Sequence, residues 1–136
     1  LYAERLALEV GLAENPYDEL GILQSELFRS VRLVVDTGMH YKRWTREEAM
    51  DYMKSITGMS DTEVRVEIER YIVWPGQALS YKVGMIKMLE LREKAKQELG
   101  DQFNIKDFHS AVLDHGNPPL FIVEKMVDKM INDAKS

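Results

Sequence analysis

A chain of 136 residues with 45% hydrophobic and 30% charged side chains has the size and balance of one globular domain, long enough to bury most of its apolar surface. The formal charge of -5 comes without any Lys/Arg block, which argues against a nucleic-acid partner, and no apolar run approaches the roughly 20 residues of a membrane span. The lack of cysteine excludes a disulfide framework and a thiolate metal site.

The chain opens as Leu1-Tyr2-Ala3-Glu4-Arg5-Leu6-Ala7, with a hydrophobic rhythm already under way and no cap, as though cut from a longer protein in mid-helix. A first helix is expected from Leu1 to about Glu14, ended by Asn15-Pro16, because the residue before proline is pushed out of the α region. A second runs from Tyr17 to Thr37. Its Leu20, Leu23, Leu27, Val31, Val34 and Val35 recur at helical spacing, which predicts a long central element. Gly38 suits a left-handed cap that would turn Met39, His40 and Tyr41 away from the helix end.

Thr45-Arg46-Glu47-Glu48 and Ser60-Asp61-Thr62-Glu63 both have the form of a capping box, in which hydroxyl and carboxylate each satisfy a free amide of the first turn. They predict one helix to about Ile56, closed by Gly58, and another through Val64, Ile68 and Ile72. Pro75 stops the latter and suits the first turn of a further helix, Gly76 to Leu99, closed by Gly100. Asn104 can cap a short helix through Phe108, Val112 and Leu113, ended by Gly116. Pro118-Pro119 starts the last, with Ile122, Val123, Met126, Val127, Met130 and Ile131 as its apolar stripe. About seven helices and no strand predict an irregular all-α bundle, a single domain or a fragment of a larger fold.

Metal chemistry finds little support within the chain. His40, His109 and His115 form no H-E-x-x-H arrangement, and a separation of six places His109 and His115 about 240° apart on a helix. The serines lie in helical patterns without a strained turn to present a nucleophile, and there is no phosphate-cradling glycine loop. The stretch from Arg70 to Gly84 stands out instead. Along the helix expected after Pro75, Gln77, Tyr81, Gly84 and Met88 share one stripe with Ala78 and Lys82 beside it, and Arg70 and Tyr71 end the preceding helix. One reading is structural, with the tyrosine hydroxyls satisfied and Arg70 paired to a carboxylate such as Glu26 or Asp36. The other is the wall of a polar pocket whose donors face an anionic or carbonyl oxygen. Arg29, Arg32 and Asp36 share a face of the long helix, where a buried Arg–Asp pair would pin it. His40, just beyond Gly38, is placed to reach into a cleft.

Several of these blocks together resemble a known family: Leu1-Tyr2-Ala3-Glu4-Arg5-Leu6, Arg32 through His40, Arg70-Tyr71 with Pro75 through Gly84, Leu99-Gly100 with Phe103, and Phe108-His109 with Leu113 and Gly116. Nearly the whole chain is similar to the C-terminal part of the bacterial family called domain of unknown function 885 (DUF885), whose members resemble helical zinc metallopeptidases of the gluzincin type. That family carries an H-E-A-x-P-G-H motif followed by an E-G-W-A segment leading into the Leu-Tyr-Ala-Glu at which this chain starts. The resemblance implies zinc in the full-length parent, held by the upstream half of the same polypeptide, and no metal in this fragment, which would be inactive alone. It implies a peptide-like substrate, with His40, Tyr71 and Tyr81 as donors to the developing oxyanion and Arg70, Gln77 and Lys82 as substrate-binding groups. Glu4 would stand behind the metal's ligands or, as the alternative, ligate directly. The parent would be exported, as a periplasmic protein or lipoprotein, or cytoplasmic. The surface that the upstream half covers would give the fragment a tendency to form a homodimer.

Overall fold

The computed structural model describes all residues, Leu1–Ser136, and is all-α: seven α-helices and two short 3-10 turns. No helix is long and apolar enough to cross a membrane. The chain divides into two compact units, Leu1–Val83 and Gly84–Ser136.

The first unit contains α1 (Tyr2–Glu9), α2 (Pro16–His40), α3 (Arg46–Thr57), α4 (Asp61–Val73) and a 3-10 turn at Gln77–Leu79. Asn15 caps α2 by accepting from the amides of Tyr17 and Asp18 at 2.9 and 3.1 Å, with Pro16 at the first helical position, where its missing amide costs nothing. Both expected capping boxes form, Thr45 with Glu48 and Ser60 with Glu63, and Gly58 closes α3 at φ 68°. The helices α3, α4 and the 3-10 turn all pack on α2. Their common core is Val31 and Val35 of α2, Ala49 and Met53 of α3, Val64, Ile68 and Tyr71 of α4, and Ala78.

Four expectations need correction. The first helix ends at Glu9, not Glu14, because the chain leaves it through Gly11 at φ 75°. Gly38 is not a cap. It lies inside α2 and is buried, because the indole of Trp44 occupies the place of its side chain; a Cβ there would stand 2.5 Å from Trp44 Cε3. The Trp44 amide donates to the Gly38 carbonyl at 2.9 Å, and the reversal between α2 and α3 includes Arg43 at φ 60°. Only the second half of α2 is central: Leu20, Leu23, Leu27 and Val34 are exposed, since the core draws on this helix only from Phe28 onward. Finally, no α-helix begins at Gly76. That residue sits at φ 81°, the 3-10 turn follows, and α5 (Ser80–Leu99) starts after it.

The second unit holds most of α5, then α6 (Ile105–Leu113) and α7 (Leu120–Lys135), with α6 packed on α7. Asn104 caps α6 through the Lys106 amide at 2.9 Å. Leu91, Ala95, Leu99, Phe108, Val123, Val127 and Ile131 are buried. Three ion pairs join α5 to α7, Lys87–Glu124 at 3.2 Å, Lys94–Asp128 at 2.6 Å and Lys135–Glu98 at 2.6 Å; at this exposure they fix register more than they add stability.

Candidate functional site

The polar seam belongs wholly to the first unit and is assembled from α2, the end of α4, the 3-10 turn and the first residues of α5. Its foundation is Asp36, only 3% exposed, whose two carboxylate oxygens accept from the Gly76 amide at 3.2 and 3.1 Å. That bond ties the chain just after Pro75 to α2. Gly76 can turn there because a left-handed φ of 81° carries no side-chain penalty at glycine. The turn then presents Gln77, whose Oε1 accepts from Arg32 Nη2 at 3.1 Å and Arg70 Nη1 at 3.2 Å.

Glu67 gathers the α4 side of the seam. One of its oxygens accepts from both Arg70 and the Tyr71 hydroxyl. Burial, reinforced by that carboxylate, pushes the Tyr71 hydroxyl well above the ordinary tyrosine range, so it stays protonated. His40, in the last turn of α2, donates from Nε2 to the Tyr71 carbonyl at 2.9 Å. A carbonyl only accepts, so Nε2 carries the proton and, in the neutral ring, Nδ1 is left as the acceptor. Lys82 pairs with Glu26 of α2 at 2.7 Å, its side chain 15% exposed.

Arg32 lies at the centre, 3% exposed, its guanidinium 5.0 Å from the Tyr81 ring, 5.3 Å from Tyr71 and 5.7 Å from Phe28. Arg29 shares two of these rings, 5.3 Å from Tyr81 and 5.0 Å from Phe28. Burial lowers the Arg32 pKa from its ordinary value, and the like charges of Arg70 and Arg29 add to that. Tyr81 itself is 48% exposed.

The structure thus brings Arg70, Tyr71, Gln77 and Tyr81 together around Arg32 and sets His40 against the backbone of Tyr71. Other sequence expectations are revised. Arg32 and Asp36 are both buried but serve different partners, Gln77 and Gly76, and form no pair with each other. Arg70 takes Glu67, not Glu26 or Asp36. Gln77 and Tyr81 reach the same place from two elements, not along one helical stripe. His40 is held by a hydrogen bond. Glu4 stays in the first turn of α1, its Oε2 buried without a hydrogen-bond partner. No three His, Asp or Glu side chains converge as a metal site in the chain. Glu67 is the residue that sequence reasoning missed, although its spacing of three from Arg70 and four from Tyr71 marks all three as neighbours on one helix.

Fold and site together define an all-helical bundle with an arginine-centred polar seam. The chain matches the family described as "Bacterial protein of unknown function (DUF885)" over residues 1–127, and it belongs to that family. It is also similar to a crystal structure described as that of "the putative lipoprotein from Colwellia psychrerythraea", with 53% identity and a TM-score of 0.95 over 97% of this chain. The chain spans 23% of that protein's length. No curated protein matches it.

Proposed function

We propose that this chain forms one wall of the substrate cleft in a zinc-dependent, peptidase-like hydrolase whose metal motif lies upstream in the parent polypeptide. The observation that carries this reading is the convergence on Arg32 of Arg70, Gln77 and the half-exposed Tyr81 from separate elements. Such a gathering of donors at a surface suits a substrate oxygen better than it suits a core. The much greater length of the Colwellia relative supports a parent that contributes further residues. On this reading the metal's ligands belong to the upstream half, and this chain contributes donors and positioning groups.

Zinc with its bound water would supply the nucleophile and polarise the scissile carbonyl. The Tyr81 hydroxyl would donate to the oxygen on which negative charge develops. Tyr71 is buried and gives its single hydroxyl proton to Glu67, so its part would be to hold that carboxylate, and Arg70 with it, in place behind Tyr81. His40, with Nε2 on the Tyr71 carbonyl, would brace the end of α4 and turn its other ring nitrogen outward. Arg70 and Gln77 would position the substrate backbone, Lys82 would add positive charge beside them, and Glu4 would support the metal's ligands. The description of the relative as a putative lipoprotein supports an exported parent.

The full-length parent, assayed on short peptides, should lose activity on chelation, regain it with zinc and lose most of it in His40→Ala. Activity indifferent to both, or none on any peptide, overturns the proposal. A second reading, a non-catalytic domain whose seam only holds the fold, is favoured by the carboxylates already in place: Glu67 on Arg70 and Tyr71, Glu26 on Lys82. Under it, Gln77→Ala lowers the melting temperature and leaves any parental activity untouched.

A further inference from the structure

The arginines of the seam have more positive charge than the fold compensates. Arg70 is paired with Glu67, but Arg29 and Arg32 bond to no carboxylate: Arg32 has the amide oxygen of Gln77 and shares the charge of Glu67 without a bond to it, and Arg29 has only the rings of Phe28 and Tyr81. The other acids nearby are committed, Asp36 to the Gly76 amide and Glu26 to Lys82. The Nε atoms of both Arg29 and Arg32 are buried without a hydrogen-bond partner. Buried guanidinium left without a directly bonded counter-ion is costly, and proteins tolerate it where an anion completes the site.

The layering indicates where that anion would arrive. Arg32 is enclosed, whereas Arg29 and Arg70 are half-buried and Tyr81 is about half exposed, so the approachable groups are two guanidiniums and one phenol, with the Arg32 charge behind them. All three are donors. Planar guanidinium groups pair with carboxylates through two parallel hydrogen bonds, and stacking on aromatic rings holds the arginine planes in place to do so.

We propose that Arg29, Arg32 and Tyr81 form a carboxylate-binding subsite that takes the carboxylate of a peptide. The proposal rests on the cleft reading above and narrows it to substrates bearing a carboxylate near the bond to be cut. Arg29 anchors the carboxylate, and Arg32 raises the positive potential beneath it.

The test is calorimetric binding to the full-length parent in the presence of a chelator, so that it does not depend on catalysis. Three probes are compared: N-acetyl-dialanine, its C-terminal amide, and N-acetyl-alanyl-glutamate with its α-carboxyl amidated. The acid should bind at least about tenfold more tightly than the neutral amide, and Arg29→Gln, with an unchanged melting curve, should abolish that preference while Arg29→Lys keeps part of it. Tight binding of the glutamyl amide would assign the subsite to an acidic side chain; its failure beside a bound free acid would assign it to the chain terminus. Equal binding of acid and amide, no binding of any probe, or a preference that survives Arg29→Gln overturns the subsite. Hydrolysis without carboxylate preference would leave the cleft reading standing, and carboxylate binding without hydrolysis would leave only the subsite.

Discussion

Substituting Gly38 by alanine should destabilise the first unit, even though glycine inside a helix is usually worth replacing. An alanine in α2 gains about 1 kcal/mol of helix propensity. Its Cβ would stand 2.5, 2.6 and 3.0 Å from Cε3, Cδ2 and Cζ3 of Trp44, so the indole has to retreat by roughly an ångström to reach ordinary contact. The ring cannot easily do so. Its backbone amide is bonded to the Gly38 carbonyl at 2.9 Å, and its ring packs against Tyr52 at a centroid separation of 5.4 Å. Two contacts well under 3.0 Å put the overpacking in the upper part of its usual range, about 2–3 kcal/mol, which leaves a net loss of about 1–2 kcal/mol and a fall in Tm of roughly 4–8 °C. Gly21→Ala in the same helix is the control, because no atom lies within 4 Å of its Cβ position. It should gain up to about 1 kcal/mol. Thermal unfolding followed by circular dichroism reads both. Tryptophan emission reports Trp44 against the exposed Trp74. If Gly38→Ala were as stable as Gly21→Ala, the packing of Trp44 into α2, and with it the placement of His40 in the last helical turn, would be refuted.

Asp36→Ala should lower stability by about 2 kcal/mol in denaturant titration, since it strips the charged acceptor from the Gly76 amide, and a loss under 0.5 kcal/mol would show that this bond does not dock the turn. Tyr71 gives a pH dependence. Its hydroxyl has a raised pKa when folded, so above about pH 10 the unfolded chain releases a proton that the folded chain keeps, and stability falls as pH rises through that point by up to about 1.4 kcal/mol per pH unit. Above pH 10 the unfolding free energy should fall more steeply in the wild type than in Tyr71→Phe, the remaining slope coming from paired lysines such as Lys94; identical slopes would contradict it. The exposed stripe Leu20, Leu23 and Leu27 should drive the isolated chain to a homodimer at high concentration, and sedimentation showing only monomer would count against that.

The capping boxes at Thr45 and Ser60 were legible because their signal is local: a hydroxyl and a carboxylate three residues apart act within a single turn. The all-α class followed from the same local rules. Gly38 misled because a glycine near a helix end also marks a cap, and only the ring of Trp44, six residues later, decides otherwise. Leu20, Leu23 and Leu27 misled for the opposite reason, since periodicity states which residues share a face and not what covers it. The seam was visible as a concentration of Arg, Tyr, Gln and Lys between Arg70 and Gly84. Its bonding was not, because Gln77 meets Arg32 across 45 positions and Gly76 meets Asp36 across 40. The α2 arginines read as the Arg half of a structural pair, whereas packing placed them on aromatic faces without a carboxylate.

The central claim, that this seam faces a reacting substrate, is tested most directly by the kinetics of Tyr81→Phe in the full-length parent. Phenylalanine keeps the ring on which Arg29 and Arg32 lie and removes only a hydroxyl from a side chain that is 48% exposed, so stability should stay within about 0.5 kcal/mol. The account predicts a fall in kcat of about 10²–10³-fold on short peptides with KM little changed, the mark of a donor used in the transition state. Unaltered kcat in a folded Tyr81→Phe parent would contradict it.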